Sequence, residues 1–390
     1  MKRDCKKRLQ QVIEESIITS ALYKDKYIGK DLNYDNLPVL TKEELKQCSL
    51  DKNCTNFPVD PVVFFTSGST GVPLKVYWEK REYQMSNYQL WYLRKKWYDI
   101  SPKDKYVTFF SHESFHDDNY YIEQDKILYL KRCNYDKAIL NEYINLIKKF
   151  SPSWIQVPIS LFWVFYNYLK DSNQRFERIK YVELNGEFVS EEELEKVRIC
   201  CGKHIQVANL YGAVEVNGIA LSCPFSKLHI LNNNVYLDDS VFGRKNELIV
   251  TSFYNRKFPI IKYDIGDRGS IQRNVNCECG ICADVLCLEY GRSSEIFQLI
   301  QENSIDARIF FDIIIQADKK YKDIYKYLLR KEGNRLCLCI YTLGKRDVEI
   351  KKFCDYKIKE IVNNIEVFTE IKGLSELNCE RKIRSYESGK

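Results

Sequence analysis

The sequence predicts an α/β protein. It has a large N-terminal body of layered α/β sheets, a small antiparallel β-barrel subdomain attached to it, and a small α+β C-terminal domain. Three observations lead there. Apolar runs of strand length alternate with helical stretches through the first half of the chain, as expected for a largely parallel sheet. From about residue 228 to 275 the strand-like runs shorten and turn residues multiply. After Gly291-Arg292 a new set of strand and helix patterns begins.

Taken in order, Leu9, Val12, Ile13 and Ile17 fall at helical spacing within residues 6–21. Thr41-Lys-Glu-Glu-Leu45 reads as a capped helix start, with Thr41 as cap and Glu44 reaching back from the third position. Val62-Val-Phe-Phe-Thr66 is β-rich and breaks into a Gly/Ser/Thr loop. Helices are predicted at 81–97 and 137–150, and strands at 105–111, 154–157, 179–184 and 205–210. Asn232-Asn-Asn234, Asp238-Asp239 and Gly243 punctuate the barrel-like stretch. Beyond it, strands are expected at 304–317, 336–342 and 365–371, with helices at 318–331 and 346–364. The chain thus divides into residues 1–290 and a small domain over 291–390, joined near 291–295.

At 390 residues the chain is long for one ordinary domain. Its 60 basic and 54 acidic side chains leave a net charge of +6, too mild for the concentrated basic face of a nucleic-acid protein. An apolar share of 45%, with 14% aromatics, is enough for a packed core and excludes general disorder. No apolar run approaches the roughly 20 residues that cross a bilayer. The longest, Ile159 to Leu169, is interrupted by Tyr166, Asn167 and Tyr168. The basic N-terminus lacks the apolar stretch of an export signal. Fifteen cysteines, an odd number without framework spacing, read as reduced thiols. A soluble, cytoplasmic protein is expected, with neither a membrane nor a nucleic acid as partner.

The segment Thr66-Ser67-Gly68-Ser69-Thr70-Gly71-Val-Pro-Leu-Lys75 places two glycines and four hydroxyl residues in its first six positions. Glycines let the backbone approach a ligand closely, and hydroxyls with free N–H groups can wrap phosphate oxygens. Lys75 adds a positive charge. The spacing of Gly68, Gly71 and Lys75 does not match a Walker loop. Further along stand Val182-Glu-Leu-Asn185-Gly186-Glu187, Asn209-Leu-Tyr211-Gly212-Ala-Val-Glu215, Tyr263-Asp-Ile-Gly-Asp267, Gly291-Arg292-Ser-Ser-Glu295 and Glu380-Arg-Lys382-Ile-Arg384.

Together and in this order, over about residues 60 to 385, these stretches resemble the superfamily of adenylate-forming enzymes: acyl- and aryl-CoA ligases, luciferases and peptide-synthetase adenylation domains. The lysine after Thr-Gly-x-Pro-x makes the chain look most like the phenylacetate–CoA ligase branch. The resemblance implies ATP and Mg²⁺ as cofactors and a mobile C-terminal lid. It implies that Thr66 to Gly71 and Lys75 hold the phosphates, that Tyr211 stacks on adenine, and that Asn185, Gly186, Glu187 and Gly212 line the purine pocket. Asp267 would accept from the ribose hydroxyls, as a carboxylate does strongly, with Arg292 beside the sugar. Glu215 would hold Mg²⁺, a hard cation that prefers oxygen. Lys382 would stabilise the charge developing at the α-phosphorus.

Departures from the pattern accompany the matches. Val214 stands where threonine is usual, Ser294 at the usual acidic or lysine hinge position, and Arg381 where glycine precedes the lysine. Gln301-Glu-Asn303 fills a loop that usually holds glycine beside the path of the thiol acceptor. The implied reaction joins a carboxylic acid, aryl or similarly apolar by analogy with relatives, to ATP and then to CoA. The alternatives are transfer to a carrier-protein pantetheine or an amine, and a nucleotide-binding protein with lapsed catalysis.

A second constellation is rich in sulfur. Cys277-Glu-Cys279-Gly-Ile-Cys282 is dense, and upstream stand Cys223 and His229. Cys223, His229, Cys277 and Cys279 would close a tetrahedron of three thiolates and one imidazole around a structural Zn²⁺, and similar positions occur in zinc-bearing relatives of the branch. Cys282 or Cys287 could replace one ligand, and reduced buried thiols are the other reading. His112 and His116 are expected in a substrate-pocket wall, with a metal-binding pair as the second reading.

Overall fold

The computed structural model describes residues 2–47, 60–65, 74–110, 120–133, 135–241, 246–292, 296–298, 304–306, 308–332, 335–362, 366–379 and 386–388. Its strands, in chain order, are β1 (Val62–Phe65), β2 (Lys75–Trp78), β3 (Tyr106–Phe110), β4 (Tyr121–Gln124), β5 (Ile127–Lys131), β6 (Trp154–Val157) and β7 (Tyr181–Asn185). Then come β8 (Gln206–Ala213), β9 (Asn217–Ser222), β10 (Leu228–Ile230), β11 (Val235–Asp238), β12 (Glu247–Ser252), β13 (Tyr263–Asn276) and β14 (Cys282–Arg292). The C-terminal part adds β15 (Ile296–Gln298), β16 (Ser304–Asp306), β17 (Ile324–Glu332), β18 (Arg335–Thr342), β19 (Val367–Gly373) and β20 (Tyr386–Ser388).

Twelve of these strands form one mixed sheet in the order β11-β12-β13-β14-β10-β9-β8-β7-β6-β3-β5-β4. Its β5-β3-β6-β7-β8 portion is parallel, as the alternation of runs predicts. Helices cover it because their apolar residues repeat at helical spacing. Lys137–Phe150 buries Leu140, Tyr143, Ile144, Ile147 and Phe150, and Asp136 caps it by accepting from the Ile139 N–H at 2.8 Å. Ile159–Asp171 and Glu191–Cys201 follow β6 and β7, the latter opened by a Ser190–Glu193 capping box. The expected cap at Thr41 also forms: its N–H donates to Glu44 at 2.8 Å and its Oγ1 accepts from the Glu44 N–H at 3.2 Å. At the N-terminus, Lys2–Thr19 is a helix that buries Leu9, Val12 and Ile13.

The expected barrel over 228–275 is corrected. No closed barrel is present among the described residues; β9 to β14 extend the parallel sheet as antiparallel strands. The physical reason is that β10 pairs with both β9 and β14, so one ladder runs from the parallel strands onto the β13–β14 ribbon. Short strands and turns cannot by themselves distinguish closure from extension.

The C-terminal part forms a four-stranded sheet in the order β19-β18-β17-β20. Helices Arg308–Tyr321 and Asp347–Ile361 cover one of its faces around Phe310, Ile313, Leu338, Ile340 and Ile350. The predictions for 336–342, 346–364 and 365–371 match β18, the second helix and β19. Two others are reversed: most of 304–317 is helix and most of 318–331 is strand. The run Ile309-Phe-Phe-Asp-Ile-Ile-Ile315 looks like a strand by composition, yet Phe310, Ile313, Ile314 and Ala317 form one helical face. In β17, Lys326 and Leu328 face the large body while Leu329 faces the two helices, the alternation of a strand. No described helix is long and apolar enough to cross a membrane.

Candidate functional site

The loop Thr66 to Gly71, Lys382, Ser294, His112 and His116 lie outside the described residues. The flanks of the loop are described. β1 and β2 pair antiparallel with Phe65 opposite Lys75. Lys75 is exposed, and its ammonium sits 5.1 Å over the Tyr77 ring and 5.9 Å over that of Phe65. Cation–π attraction holds such a charge near the hairpin rather than loose in water. Three residues on, buried Trp78 donates from Nε1 to the Val214 carbonyl at 3.3 Å. That bond ties the loop's hairpin to the segment carrying Tyr211, Gly212 and Glu215.

The main sheet brings several expected nucleotide residues together. Asn185 ends β7 opposite Leu210 of β8, and Gly186 follows with φ +77°. The β8–β9 ladder shifts register at Tyr211–Gly212. A Cβ on Gly212 would come within 2.6 Å of the Asn217 carbonyl, so the close approach of backbones there requires glycine. The Tyr211 hydroxyl donates to Asp267 Oδ2 at 2.9 Å. On β14, Arg292 is the backbone partner of Asp267. Glu215, 5% exposed, accepts from the Tyr263 hydroxyl at 3.0 Å. Tyr211, Asp267, Arg292 and Glu215 thus belong to one corner of the sheet, between β8 and the β13–β14 ribbon.

Glu187 follows Gly186 at the end of β7, and protein groups surround its side chain. Its carboxylate is buried under two cations and the start of a helix. It accepts from Ser160 Oγ at 2.8 Å and the Ser160 N–H at 3.3 Å, and lies 3.4 Å from both Arg132 and Lys326. Arg132 also donates from Nε to the Cys379 carbonyl at 3.2 Å. Glu187 is therefore a junction between the large body and the C-terminal sheet. The sequence offers no local signal for this, because Arg132, Ser160 and Lys326 are far apart along the chain. A cleft of about 640 Å³ between Phe188, Glu191, Arg268, Glu289 and Phe311 adjoins the junction. None of Tyr211, Glu215 and Asp267 lines it, so the corner that holds these three is defined by its contacts and not by that cleft.

The four sulfur and nitrogen donors converge. Cys223 Sγ lies 3.8 Å from Cys277 Sγ, Cys279 Sγ lies 3.4 Å from His229 Nε2, and all four donor atoms are within 4.8 Å of one another. Zn–S bonds near 2.3 Å put tetrahedral ligand atoms roughly 3.8 Å apart, so this donor set fits zinc. The convergence follows from β10, which holds the turn after Cys223 against the β13–β14 turn. Gly280, at φ +78°, tightens the latter. His229 is buried against Trp97, and burial holds its pKa below the ordinary imidazole value, which favours the neutral, ligating form. Burial, with Cys279 and Cys277 beside it, pushes the Cys223 thiol up to about 12. Cys282 is exposed and Cys287 half-buried, and neither belongs to the cluster.

One further charged group is deeply buried. Arg94 and Glu183 form a two-pronged pair at 2.8 and 2.6 Å, with Gln156 and Tyr181 also donating to Glu183 at 2.8 Å. A lone glutamate inside the apolar run Tyr181-Val-Glu-Leu184 was the available signal, and it is easily read as part of the adjoining motif.

This architecture is the fold of the adenylate-forming enzymes. Across 99% of the chain it is similar to 2-hydroxyisobutyryl-CoA ligase in the postadenylation state in complex with 2-HIB-AMP, at a TM-score of 0.74, 11% identity and 89% of that chain. GH3.15 acyl acid amido synthetase is similar over 99% of this chain and 92% of its own, at a TM-score of 0.63 and 13% identity. An anthranilate CoA ligase in complex with anthranoyl-AMP is similar over 80% of this chain and 64% of its own, at 0.51 and 11%. The sequence itself matches no protein-family model and no curated protein.

Proposed function

We propose that the protein activates a carboxylic acid as an acyl-adenylate and passes the acyl group to a thiol. An oxygen of the carboxylate attacks the α-phosphorus of ATP, the bond to the β-phosphate oxygen breaks, and pyrophosphate leaves. The thiol sulfur then attacks the acyl carbon and AMP departs. The mixed anhydride is needed because a carboxylate is a poor electrophile and AMP a good leaving group. The observation that supports this most is the Tyr211–Asp267 hydrogen bond beside Glu215 and Arg292, on the strands of an adenylate-forming fold. In this reading Tyr211 presents its ring to adenine, Asp267 holds the ribose, and Gly212 leaves room for close backbone contact. Lys75 and the hydroxyl loop hold the phosphates. Mg²⁺, held by Glu215, would neutralise phosphate charge.

The division at residues 290 and 291, with rotation of the C-terminal part between the two steps, belongs to the same proposal. Its support is that the ligase cited above scores 0.74 in its postadenylation state but 0.61 in its thioesterification state. An aryl or similarly apolar acid rests on the phenylacetate–CoA ligase-like motifs alone. CoA is the first choice of acceptor. An amine is the second, favoured by Gln301-Glu-Asn303 standing in sequence where relatives usually carry glycine, and by the likeness to an amido synthetase. A cytoplasmic setting suits the thirteen described cysteines, which are all free thiols.

Pyrophosphate exchange tests the reading. Labelled pyrophosphate should enter ATP only when the right member of an acid panel is added. ATP binding with no exchange for any acid would instead identify a lapsed enzyme. Asp267→Ala is expected to raise the KM for ATP about 10–100-fold, the worth of charged hydrogen bonds. The exchange assay at varied ATP checks this, and an unchanged KM would remove Asp267 from the ribose.

Zinc at Cys223, His229, Cys277 and Cys279 would be structural, because four protein ligands leave no open position. The double variant C277S/C279S is expected to lose about one equivalent of zinc and to melt at a lower temperature. Metal analysis of protein purified without added metal measures it, and equal zinc in both proteins would remove the assignment.

A further inference from the structure

The C-terminal sheet holds a second cluster of soft donors, remote in sequence from the first. Cys337 and Cys339 stand two apart on β18, so both side chains leave the same face of the strand. Leu336, Leu338 and Ile340 take the opposite face, toward the two helices. Both thiols are fully buried, with sulfurs 3.3 Å apart. Glu370, the register partner of Cys339 on parallel β19, brings Oε2 to 3.3 Å from Cys339 Sγ and 3.7 Å from Cys337 Sγ. All three donor atoms lie within 4.8 Å of one another.

We propose that Cys337, Cys339 and Glu370 bind a second divalent zinc ion. Their spacings lie close to the roughly 3.8 Å edges of a tetrahedron built on Zn–S bonds of about 2.3 Å, so small side-chain rotations suffice. Two thiolates and a carboxylate suit Zn²⁺ better than Mg²⁺ or Ca²⁺, which prefer all-oxygen shells. Binding releases the two thiol protons to solvent, and water fills the open fourth position. Charge also fits. Three anionic ligands around one dication leave a net charge of −1, and two cations stand beside the carboxylate: Lys372 Nζ at 3.2 Å and Arg330 at 3.7 Å from Oε2. Arg330 is itself shared with Glu332 at 2.5 Å, so it steadies the carboxylate without fully claiming it. The Glu370 side chain is 40% exposed, which puts the thiol pair directly beneath the surface and gives an ion a route in. The cysteines face the core that the C-terminal sheet shares with the large body. The ion would therefore join β18 to β19 at that contact.

Metal counting on the full chain tests this independently of catalysis and of the first cluster. C277S/C279S protein is expected to keep about one equivalent of zinc, and adding C337S/C339S should remove it. Cobalt(II) titrated into metal-free C277S/C279S protein should give a thiolate charge-transfer absorption that C337S/C339S abolishes and Glu370→Gln weakens. Should C277S/C279S fail to fold, wild-type protein should hold two equivalents and C337S/C339S one. A folded C277S/C279S protein without zinc and without the cobalt band overturns the proposal. So does a wild-type zinc content that C337S/C339S leaves unchanged.

Discussion

Replacing Lys382 with alanine is expected to slow acid-dependent pyrophosphate exchange by about 10²–10³-fold, the loss typical of removing one key transition-state donor. The reasoning is electrostatic. A unit charge about 4 Å from developing phosphate charge is worth roughly 4 kcal/mol at an effective dielectric near 20. The described residues on either side of 380–385 are both anchored. Cys379 is buried, with its carbonyl held by Arg132, which also holds Glu187 next to Gly186. Tyr386 begins β20, which pairs with β17 at Leu329. Cys379 thus lies beside the loop that follows β7. Thioester formation from a synthetic acyl-adenylate should survive in K382A, because that step does not need the α-phosphorus stabilised. Normal exchange by K382A would show that another group does this work.

Glu183→Ala is expected to destabilise the protein by about 3–5 kcal/mol, because it strands a buried guanidinium. Arg94 is 4% exposed and Glu183 not at all. Burial works against the charge on Arg94, and the adjacent Glu183 carboxylate outweighs it, so the guanidinium pKa is raised. Arg94 also lies over the rings of Trp91 and Trp154, at 4.5 and 5.1 Å, where water cannot replace the lost carboxylate. Denaturant unfolding measures the loss. Exchanging Arg94 and Glu183 together for apolar residues should recover part of it, since well-packed apolar groups often match a buried pair. A cost under about 1 kcal/mol for Glu183→Ala would show the pair to be solvated, as surface pairs are.

Much of the body was legible because its signals are local. Thr41 announces a helix start by capping chemistry that acts within three residues, and Lys137–Phe150 shows its buried face in its spacing. The helix Arg308–Tyr321 and β17 were read the wrong way round. An unbroken run of Ile and Phe carries no period of its own, and Lys326 hides an inward position behind a charge.

The corner proposed to hold the nucleotide divides in the same way. Ordered motifs named Tyr211, Glu215 and Asp267, but only the pairing of β8 with β9 and of β13 with β14 brings them side by side. Glu187 shows what the motif leaves out: Arg132, Ser160 and Lys326, all distant in sequence, hold its carboxylate.

By itself the sequence determined the helix cap at Thr41, the parallel core strands, the order of the motifs and the sulfur-rich pairs. Each of these depends on spacing within one segment or on residue type alone. Tertiary structure alone decided that the antiparallel strands extend the sheet, that Cys223, His229, Cys277 and Cys279 meet, that Glu370 joins Cys337 and Cys339, and that Glu187 bridges to the C-terminal sheet. Those outcomes depend on which distant strands share hydrogen bonds, and pairing between strands is set by packing across the whole core rather than by any segment's own preference.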